Sequence, residues 1–240
     1  ASCLVGSEMC IRDRVSDEVR QTMDEDVPPP DSKLTRSKQR WASERKFVTG
    51  APTSGAHDRL PPGQHLVRDW PVLDLGAQPD VQRERWRLDI RGMVTRPVTL
   101  DWNAFIALPQ VDLRSDIHCV TTWSRYDNDW RGVATHTLLD LVEPRDEAGF
   151  VMLHGYDGYT TNVPLADFAS PDALIAHEWS GRPLTREHGG PARLVIPHRY
   201  FWKSAKWISA IEFIGADRAG FWEVNGYHMR GDPWAEQRYS

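Results

Sequence analysis

The chain has 240 residues and a formal net charge of −5, and none of its apolar runs approaches the roughly 18–20 residues needed to span a bilayer. This length predicts one large domain or one domain with a tail, and the acidic balance argues against a general binder of nucleic acid or anionic membranes. The eleven tryptophans predict an ample core in which some indoles wall a pocket.

Residues 1–60 are polar and charged and predict a mostly disordered tail or a loosely docked arm, because so few apolar residues cannot offset the entropy of ordering. Within this segment, Leu4 to Arg14 reads like one translated frame of a transposon adapter used to prepare sequencing libraries; the alternative is an ordinary polar N-terminus. Two of the three cysteines, Cys3 and Cys10, lie in the opening segment "ASCLVGSEMCIRDR". Without that segment Cys119 is the single cysteine, which excludes an internal disulfide and a four-cysteine zinc site. A lone cysteine is compatible with a reducing compartment, and the cytoplasm is the expected location.

From Leu60 onward the sequence changes to short strands and turns. Alternating apolar residues at Trp86, Leu88 and Ile90 predict a strand. The other predicted elements are strands over 111–120, 192–197 and 206–215, short helices after Asp101 and over 136–144, a hairpin turning at Asp157-Gly158, and a helix or strand start over 170–179. This mixture predicts an α+β domain of mixed β-sheets with short helices over residues 61–240, rather than a regular βαβ series.

Cys119 lies at the end of one predicted strand, before a polar, tryptophan-rich turn in "TTWSRYDNDW". One interpretation is a small buried hydrophobic residue. The polar and aromatic residues that follow indicate instead a sulfur at a strand end that faces a cleft. There it would be either a nucleophile beside His118 or a thiolate ligand of a soft metal centre.

A second candidate site is the basic stretch "EHGGPARLVIPHRYFWKSAKW", residues 187–207. No acidic residue occurs between Glu187 and Glu212, while basic side chains accumulate at Arg193, Arg199, Lys203 and Lys206. Arginine grips phosphate oxygens bidentately and lysine adds a point charge, so the stretch suits a phosphorylated cofactor. The alternatives are a solvated basic strand and a site for single-stranded nucleic acid, and the overall negative charge disfavours the second.

Three motifs together resemble the molybdopterin-dependent oxidoreductases of the sulfite oxidase superfamily, in particular its short bacterial members. They are "HCVTTWS", "HGGPARLVIP" followed by "KSAKW", and the aromatic C-terminal "GFWEVNGYH". The resemblance runs from about Leu60 to the C-terminus, about three quarters of the chain. It implies a sulfite-oxidase-type molybdopterin-binding domain for residues 61–240.

The resemblance also implies roles for individual residues. Cys119 matches the cysteine whose thiolate binds molybdenum. The cofactor-binding positions match Arg68, Asp69, Trp70, His188, Arg193, Ser204, Ala205 and Lys206, with Lys206 as a charge partner of the phosphate. Tyr159 matches an active-site tyrosine near the metal and Trp130 an aromatic on the substrate side; Trp123 and Arg125 complete the substrate-side candidates.

Two departures from the family's pattern concern the substrate and the cofactor. Sulfite oxidases carry arginines four and five residues after the cysteine, where this chain has Trp123 and Ser124, and Arg125 falls one place later. This difference removes the arrangement that binds the sulfite dianion. Asp69 and Trp70 replace an Asn-His pair of the animal enzymes.

The expected function is two-electron, oxygen-atom-transfer-type redox chemistry on a small sulfite-like or sulfoxide-like molecule, supported by molybdopterin and molybdenum. The sequence carries neither the family's immunoglobulin-like dimerisation domain nor a haem domain, so electrons are expected to pass to a separate partner. Neither nucleic acid nor a membrane span is expected to take part. Two alternatives stay open: a metal-independent cysteine hydrolase that uses Cys119, and a cofactor-free binding module on the same fold.

Overall fold

Two mixed β-sheets and a few short helices make up the described part of the chain. The structure is a computed structural model, and it describes residues 33–44 and 58–240. The strands within these ranges are β1 (His65–Leu66), β2 (Arg87–Gly92), β3 (Val98–Asp101), β4 (Gln110–His118), β5 (Trp123–Ala134), β6 (Phe150–Gly155), β7 (Thr160–Pro164), β8 (Leu174–Trp179), β9 (Arg182–Pro183), β10 (Arg193–Val195) and β11 (Ile208–Ile214). The α-helices there are α1 (Lys33–Ser43), α2 (Trp102–Ala107), α3 (Thr135–Val142), α4 (Leu165–Phe168) and α5 (Phe221–Val224), and 3-10 turns cover Arg186–His188 and Phe201–Lys203. The predicted α+β class with mixed sheets is confirmed.

The five-stranded sheet has the order β3-β2-β11-β6-β7. β2 and β11 are parallel and the other pairs antiparallel. β2 buries Leu88 and Ile90 and turns its alternate residues outward, which is the pattern that predicted it. β6 and β7 form the predicted hairpin. Leu88 and Ile90 belong to the larger of two core clusters.

In the six-stranded sheet β5 pairs antiparallel with β4 and β8 and parallel with β1, while β9 and β10 pair with β8. The prediction of a tryptophan-rich turn after Cys119 is wrong over residues 123–134, which form the longest strand described. The reason is cross-strand pairing on the exposed face: Arg131 lies opposite Asp112, and its guanidinium is 2.9 Å from that carboxylate. Polar residues that neutralise each other across a pair of strands look like a loop in the sequence, although they stabilise a sheet.

The short helices begin and end as the sequence predicts. The Asp101 carboxylate accepts a hydrogen bond of 2.8 Å from the backbone N–H of Ala104 and so caps α2. α3 ends at Val142, and the next residue, Glu143, lies in the left-handed region directly before Pro144. The ambiguous stretch 170–179 contains strand β8.

Helix α1 lies inside the segment predicted to be mostly a tail or a docked arm. Thr35, on this helix, is buried, and its hydroxyl donates a hydrogen bond of 2.5 Å to the carbonyl of Leu75. The suspected adapter segment Leu4 to Arg14 and most of the rest of residues 1–60 lie outside the described ranges, so that part of the prediction stays a prediction.

Among the residues of the two described ranges, no helix is both long enough and apolar enough to cross a membrane. The cytoplasmic location stays a prediction. The second core cluster is largely aromatic and contains Trp70, Cys119, Trp123, Trp202 and Tyr227. It brings residues that are distant in the sequence to one cavity.

Candidate active site

A cavity of about 1010 Å³ lies beside this aromatic cluster. Its volume is at the upper end for small-molecule and cofactor sites. Its walls include Trp70, Trp123, Phe201, Trp202, Trp222 and Tyr227. The cavity also brings together Cys119 and the basic residues Arg193 and Lys206, which the sequence analysis treated as separate candidate sites.

Cys119 begins the short loop, residues 119–122, that joins β4 to β5. The loop is closed by backbone hydrogen bonds from Cys119 N–H to the Trp123 carbonyl, 2.8 Å, and from Thr122 N–H to the Cys119 carbonyl, 3.1 Å. Thr122 has a φ of 75°, a region that a β-branched residue rarely adopts. Hydrogen bonding and strand pairing on both sides therefore hold the loop in an unfavourable conformation that fixes the position of the cysteine.

The Cys119 thiol is buried and lines the cavity, with Sγ 3.1 Å from the Thr121 hydroxyl. Burial raises the pKa of the Cys119 thiol, while hydrogen bonding to Thr121 and the charge of Arg238 oppose the shift. A cysteine whose thiol is neutral in a buried site becomes a thiolate when a cation binds to it, so the site suits a metal ligand.

His118 is not placed to activate this thiol. Its Nδ1 is 2.8 Å from the Ser124 hydroxyl, which in turn donates to the side-chain carbonyl of Gln64. Burial lowers the pKa of His118 to about 4, with a smaller opposing effect of Asp116. The imidazole takes part in a buried network and is not among the residues that line the cavity.

The basic end of the cavity contains a buried guanidinium, that of Arg193 at the start of β10. It donates hydrogen bonds of 2.9 Å to the His188 carbonyl and 2.7 Å to the Ser204 carbonyl. Among the described residues no carboxylate lies within 4.0 Å of it, and burial lowers the pKa of Arg193 to about 9. The guanidinium also lies 4.2 Å from the centre of the Phe201 ring. A buried cation without a carboxylate partner is costly, and an anion in the cavity would offset that cost.

Lys206 lies at the same end. Its ammonium donates a hydrogen bond of 2.7 Å to the Glu187 carbonyl, and burial, with the charge of Arg193, lowers the pKa of Lys206 to about 7. Gly189 packs against this lysine with a φ of 101°, and a Cβ added there would lie 2.9 Å from the Lys206 Cβ. The loop that contains His188 therefore approaches the Ser204–Lys206 segment as closely as a glycine allows.

Trp70 connects the predicted N-terminal cofactor-binding segment to this end. Its indole stacks on the His188 ring with a centroid distance of 3.9 Å and an interplanar angle of 5°. Burial lowers the pKa of His188 to about 4, and the Arg193 charge adds to the shift, so the ring is neutral at pH 7. Arg68 and Asp69 do not line the cavity; the Arg68 carbonyl accepts a hydrogen bond of 3.1 Å from Arg125.

The other predicted site residues fall into two groups. Trp123, Tyr159 and Ser204 line the cavity, whereas Arg125, Trp130 and Ala205 do not. The Arg125 guanidinium lies 4.7 Å from the centre of the Trp179 ring. Trp130 is buried behind Trp70, with a ring-to-ring distance of 5.3 Å, and its indole N–H donates to the Ser115 hydroxyl. Ala205 is buried, and its carbonyl accepts a hydrogen bond from Leu194 N–H.

Tyr159 faces the cavity with its hydroxyl already engaged. The hydroxyl donates a hydrogen bond of 2.6 Å to the Trp202 carbonyl. Burial, with the nearby charge of Glu223, raises the pKa of Tyr159 well above its usual range. The phenol is therefore neutral at pH 7 and would face a ligand as a hydrogen-bond acceptor.

Several lining residues were missed by the sequence analysis. Asp157 is buried, and burial raises the pKa of its carboxyl to about 6. In the sequence it is indistinguishable from an ordinary turn residue of the hairpin. Trp222 and Tyr227, which stack at 4.9 Å, come from the aromatic C-terminal motif, and that motif was the available signal for them. Lys38 on α1 lies in a polar stretch with no pattern that marks it.

The arrangement fits a phosphorylated cofactor that carries a thiophilic metal. One end offers buried cations without carboxylate partners, a glycine loop and the Ser204 side chain. The other end offers a single thiol in a fixed loop. Molybdopterin, with a phosphate at one end and molybdenum held by sulfur at the other, meets both requirements.

Comparisons with known proteins agree with this assignment. Residues 75–222 match the family described as the oxidoreductase molybdopterin binding domain. The chain is 46% identical over 183 residues to the oxidoreductase YuiH of Bacillus subtilis (strain 168), covering 76% of this chain and 92% of that protein. It is 28% identical over 163 residues to the protein-methionine-sulfoxide reductase catalytic subunit MsrP of Campylobacter jejuni, covering 58% of this chain and 52% of that one.

Among solved structures, the sulfane dehydrogenase SoxCD from Paracoccus pantotrophus has a similar fold, with a TM-score of 0.54 and 20% identity. The match covers 58% of this chain and 40% of the SoxCD chain. The fold, the cavity and the sequence matches lead to one conclusion. The chain belongs to the molybdopterin-dependent oxidoreductases of the sulfite oxidase superfamily.

Proposed function

We propose that this oxidoreductase reduces a small neutral oxo substrate of the sulfoxide type and receives its electrons from a separate protein partner. The observation that carries the proposal is the composition of the cavity near Cys119. Thr121 contacts the thiol, and Val120, Trp123, Trp202, Trp222 and Tyr227 pack in the same core cluster as Cys119. All six line the cavity and none of them is charged.

The lining suits a neutral molecule because an oxyanion such as sulfite would lose its hydration there without gaining a cationic partner. Arg238, whose charge acts on the thiol, does not line the cavity and donates instead to the carbonyls of Val120 and Pro62, both at 3.1 Å. Ser124, at a position where sulfite oxidases carry an arginine, is buried in the His118 network. The name of the MsrP relative, a protein-methionine-sulfoxide reductase, supports the same substrate class.

Each part of the site has its own task. The molybdenum cofactor, when bound, supplies the two-electron redox centre. Cys119 would bind the metal, Arg193, Lys206 and Ser204 would hold the phosphate, and the stacked pair of Trp70 and His188 would line the pterin. In the overall reaction the sulfoxide, two electrons and two protons give a thioether and water.

The aromatic walls offer few hydrogen-bond partners to a hydrated group, which favours a thioether-like substrate group. Trp123 and Tyr227 are two of the aromatic residues that line the cavity. A metal-independent cysteine hydrolase is less well supported, because the neighbouring imidazole of His118 is bound to Ser124.

The test compares holoenzyme with its Cys119→Ser variant, both from a host that makes the molybdenum cofactor. We expect about one molybdenum per chain in the wild type, and reduction of methionine sulfoxide and dimethyl sulfoxide with a reduced viologen as the donor. The serine variant should keep its fold, as judged by circular dichroism, and lose turnover, since the hard hydroxyl is a poor ligand for a soft site.

Two results would contradict the proposal. An active Cys119→Ser variant would remove the thiolate from the chemistry. Oxidation of sulfite with an artificial acceptor, at a catalytic efficiency equal to or above that for sulfoxides, would reject the neutral substrate.

A further inference from the structure

Helix α1 forms part of the cavity wall, although it lies outside the residues that match the family. The family match begins at residue 75, whereas α1 spans Lys33–Ser43. Lys38 and Arg40 of this helix line the cavity that also contains Arg193 and Lys206. The helix is therefore a structural neighbour of the proposed cofactor site.

Two side chains attach α1 to a segment that itself lines the cavity. The buried Thr35 hydroxyl donates to the Leu75 carbonyl, 2.5 Å, and the Lys38 ammonium donates to the Asp74 carbonyl. Asp74 and Leu75 both line the cavity. Thr35 and Lys38 lie about one turn apart on α1, so their two hydrogen bonds fix both the position and the rotation of the helix.

Lys38 adds a positive charge to an end of the cavity that is already cationic. It is partly buried, burial lowers its pKa, and the charge of Asp74 opposes that shift. The Asp74 carboxylate is bound by the Gly76 N–H and the Gln78 amide, both at 2.8 Å. Among the described residues no carboxylate lies within 4.0 Å of the Lys38 ammonium.

Three cations, Lys38, Arg193 and Lys206, thus lie at one end of the cavity, where each is bonded to a carbonyl group. The carboxyl groups of Asp74 and Asp157 line the same end and offset part of this positive charge. Like charges at close range repel each other in a partly desolvated site, and a multiply charged anion between them removes that cost. A phosphate monoester has three oxygens for such donors.

We propose that α1 is a clamp on the bound cofactor, in which Lys38 is a third cationic ligand of the molybdopterin phosphate. This inference rests on the cofactor site described above, and it adds a segment outside the family domain. The clamp slows the release of the cofactor and has no part in the redox chemistry.

The experiment measures the rate of pterin release from purified holoenzyme. Wild type, Lys38→Ala, Lys38→Glu and Lys38→Arg are dialysed, and the pterin that remains is oxidised and quantified by its fluorescence. Lys33→Ala is the matched control, because Lys33 is exposed on the same helix and is not among the lining residues. Circular dichroism checks that each variant is folded.

We expect Lys38→Ala to release the pterin about tenfold faster than wild type, the effect of one lost hydrogen bond to a charged group. Lys38→Glu should release it faster still, and Lys38→Arg and Lys33→Ala should behave like wild type. Wild-type release rates for both Lys38→Ala and Lys38→Glu would overturn the clamp and leave the cofactor site intact. Folded wild-type enzyme purified without pterin would instead overturn the site on which the clamp depends.

Discussion

Two buried arginines near each other in the sequence, Arg193 and Arg199, have opposite surroundings. Arg199 makes a bidentate contact with Asp167, with N···O distances of 2.7 and 2.8 Å. Arg193 donates its hydrogen bonds to backbone carbonyls and lies 4.2 Å from the centre of the Phe201 ring, and no carboxylate of the described residues pairs with it. Because a buried charge with a carboxylate is compensated within the fold, Arg199 serves structure. The uncompensated charge of Arg193 is available to a ligand.

Lys203 and Lys206, in the same stretch, differ in the same way: one has a carboxylate partner and the other does not. Lys203 is completely buried, and its ammonium lies 2.6 Å from the Glu223 carboxylate. The indole N–H of Trp202 donates to the same carboxylate oxygen, 2.8 Å, so this pair supports a wall of the cavity. Lys206, in contrast, contacts a carbonyl and lines the cavity. Within one basic stretch, the cations that have a carboxylate partner stabilise the fold, and those without one are available to a ligand.

The largest expected effect comes from breaking the buried lysine pair. Glu223→Gln keeps the shape of the side chain but leaves Lys203 without a counter-charge, so we expect the free energy of unfolding to fall by about 3–5 kcal/mol. Urea unfolding of the apoprotein measures the change, with the exposed Glu147→Gln as control. A loss below about 1 kcal/mol would mean that this pair does not stabilise the fold.

A smaller effect on stability, with a large effect on binding, is expected for Arg193→Met. Relief of an uncompensated buried charge offsets the loss of hydrogen bonds to the His188 and Ser204 carbonyls, so the free energy of unfolding of the apoprotein should change by only about 1 kcal/mol. Pterin and molybdenum contents should fall by at least about tenfold, as for the loss of a hydrogen-bonded charge.

Arg199→Met is the matched comparison and should give the opposite pattern. It removes the bidentate partner of the Asp167 carboxylate and leaves only the His198 imidazole, 3.5 Å away. Urea unfolding should therefore show a loss of stability while cofactor content in folded protein is retained. If Arg193→Met retained its pterin, the distinction between the two arginines would not hold.

The smallest effect is a pH dependence of cofactor retention through Lys206. In the empty site its pKa is about 7, and a bound phosphate raises that pKa. The charge therefore contributes to binding below about pH 7, and the contribution is lost as the pH rises through the higher pKa of the bound state. The phosphate (second pKa about 6) is already a dianion over most of this range.

Pterin retention measured from about pH 6 to about pH 9 should thus fall with rising pH in the wild type. Lys206→Arg should flatten the profile, because arginine stays protonated throughout. An equally steep profile in this variant would assign the dependence to another group.

The sequence predicted the regular elements well where hydrophobic periodicity and capping residues coincide. Leu88 and Ile90 alternate with polar residues, and Asp101 caps the helix that follows. The sequence did not predict β5, because its polar residues are paired with residues on β4. Such pairing between strands produces no periodic pattern in the sequence of either strand.

For the site, motifs predicted lining residues such as Cys119, Arg193 and Lys206. Arg125 and Trp130, also predicted for the site, do not line the cavity, because the Arg125 guanidinium lies over the Trp179 ring and the Trp130 indole packs against Trp70. Lys38 could not be found from the sequence, since its role depends on where α1 docks.

The loop 119–122 is closed by its own backbone, so its path does not depend on the sulfur atom that it carries. The side chain at position 119 can therefore be replaced without a change in the path of the loop. Selenocysteine placed at the position of Cys119 would offer the metal a softer donor from the same backbone. The substitution would change only the donor atom offered to the metal, from sulfur to selenium, and leave the backbone of the site unchanged.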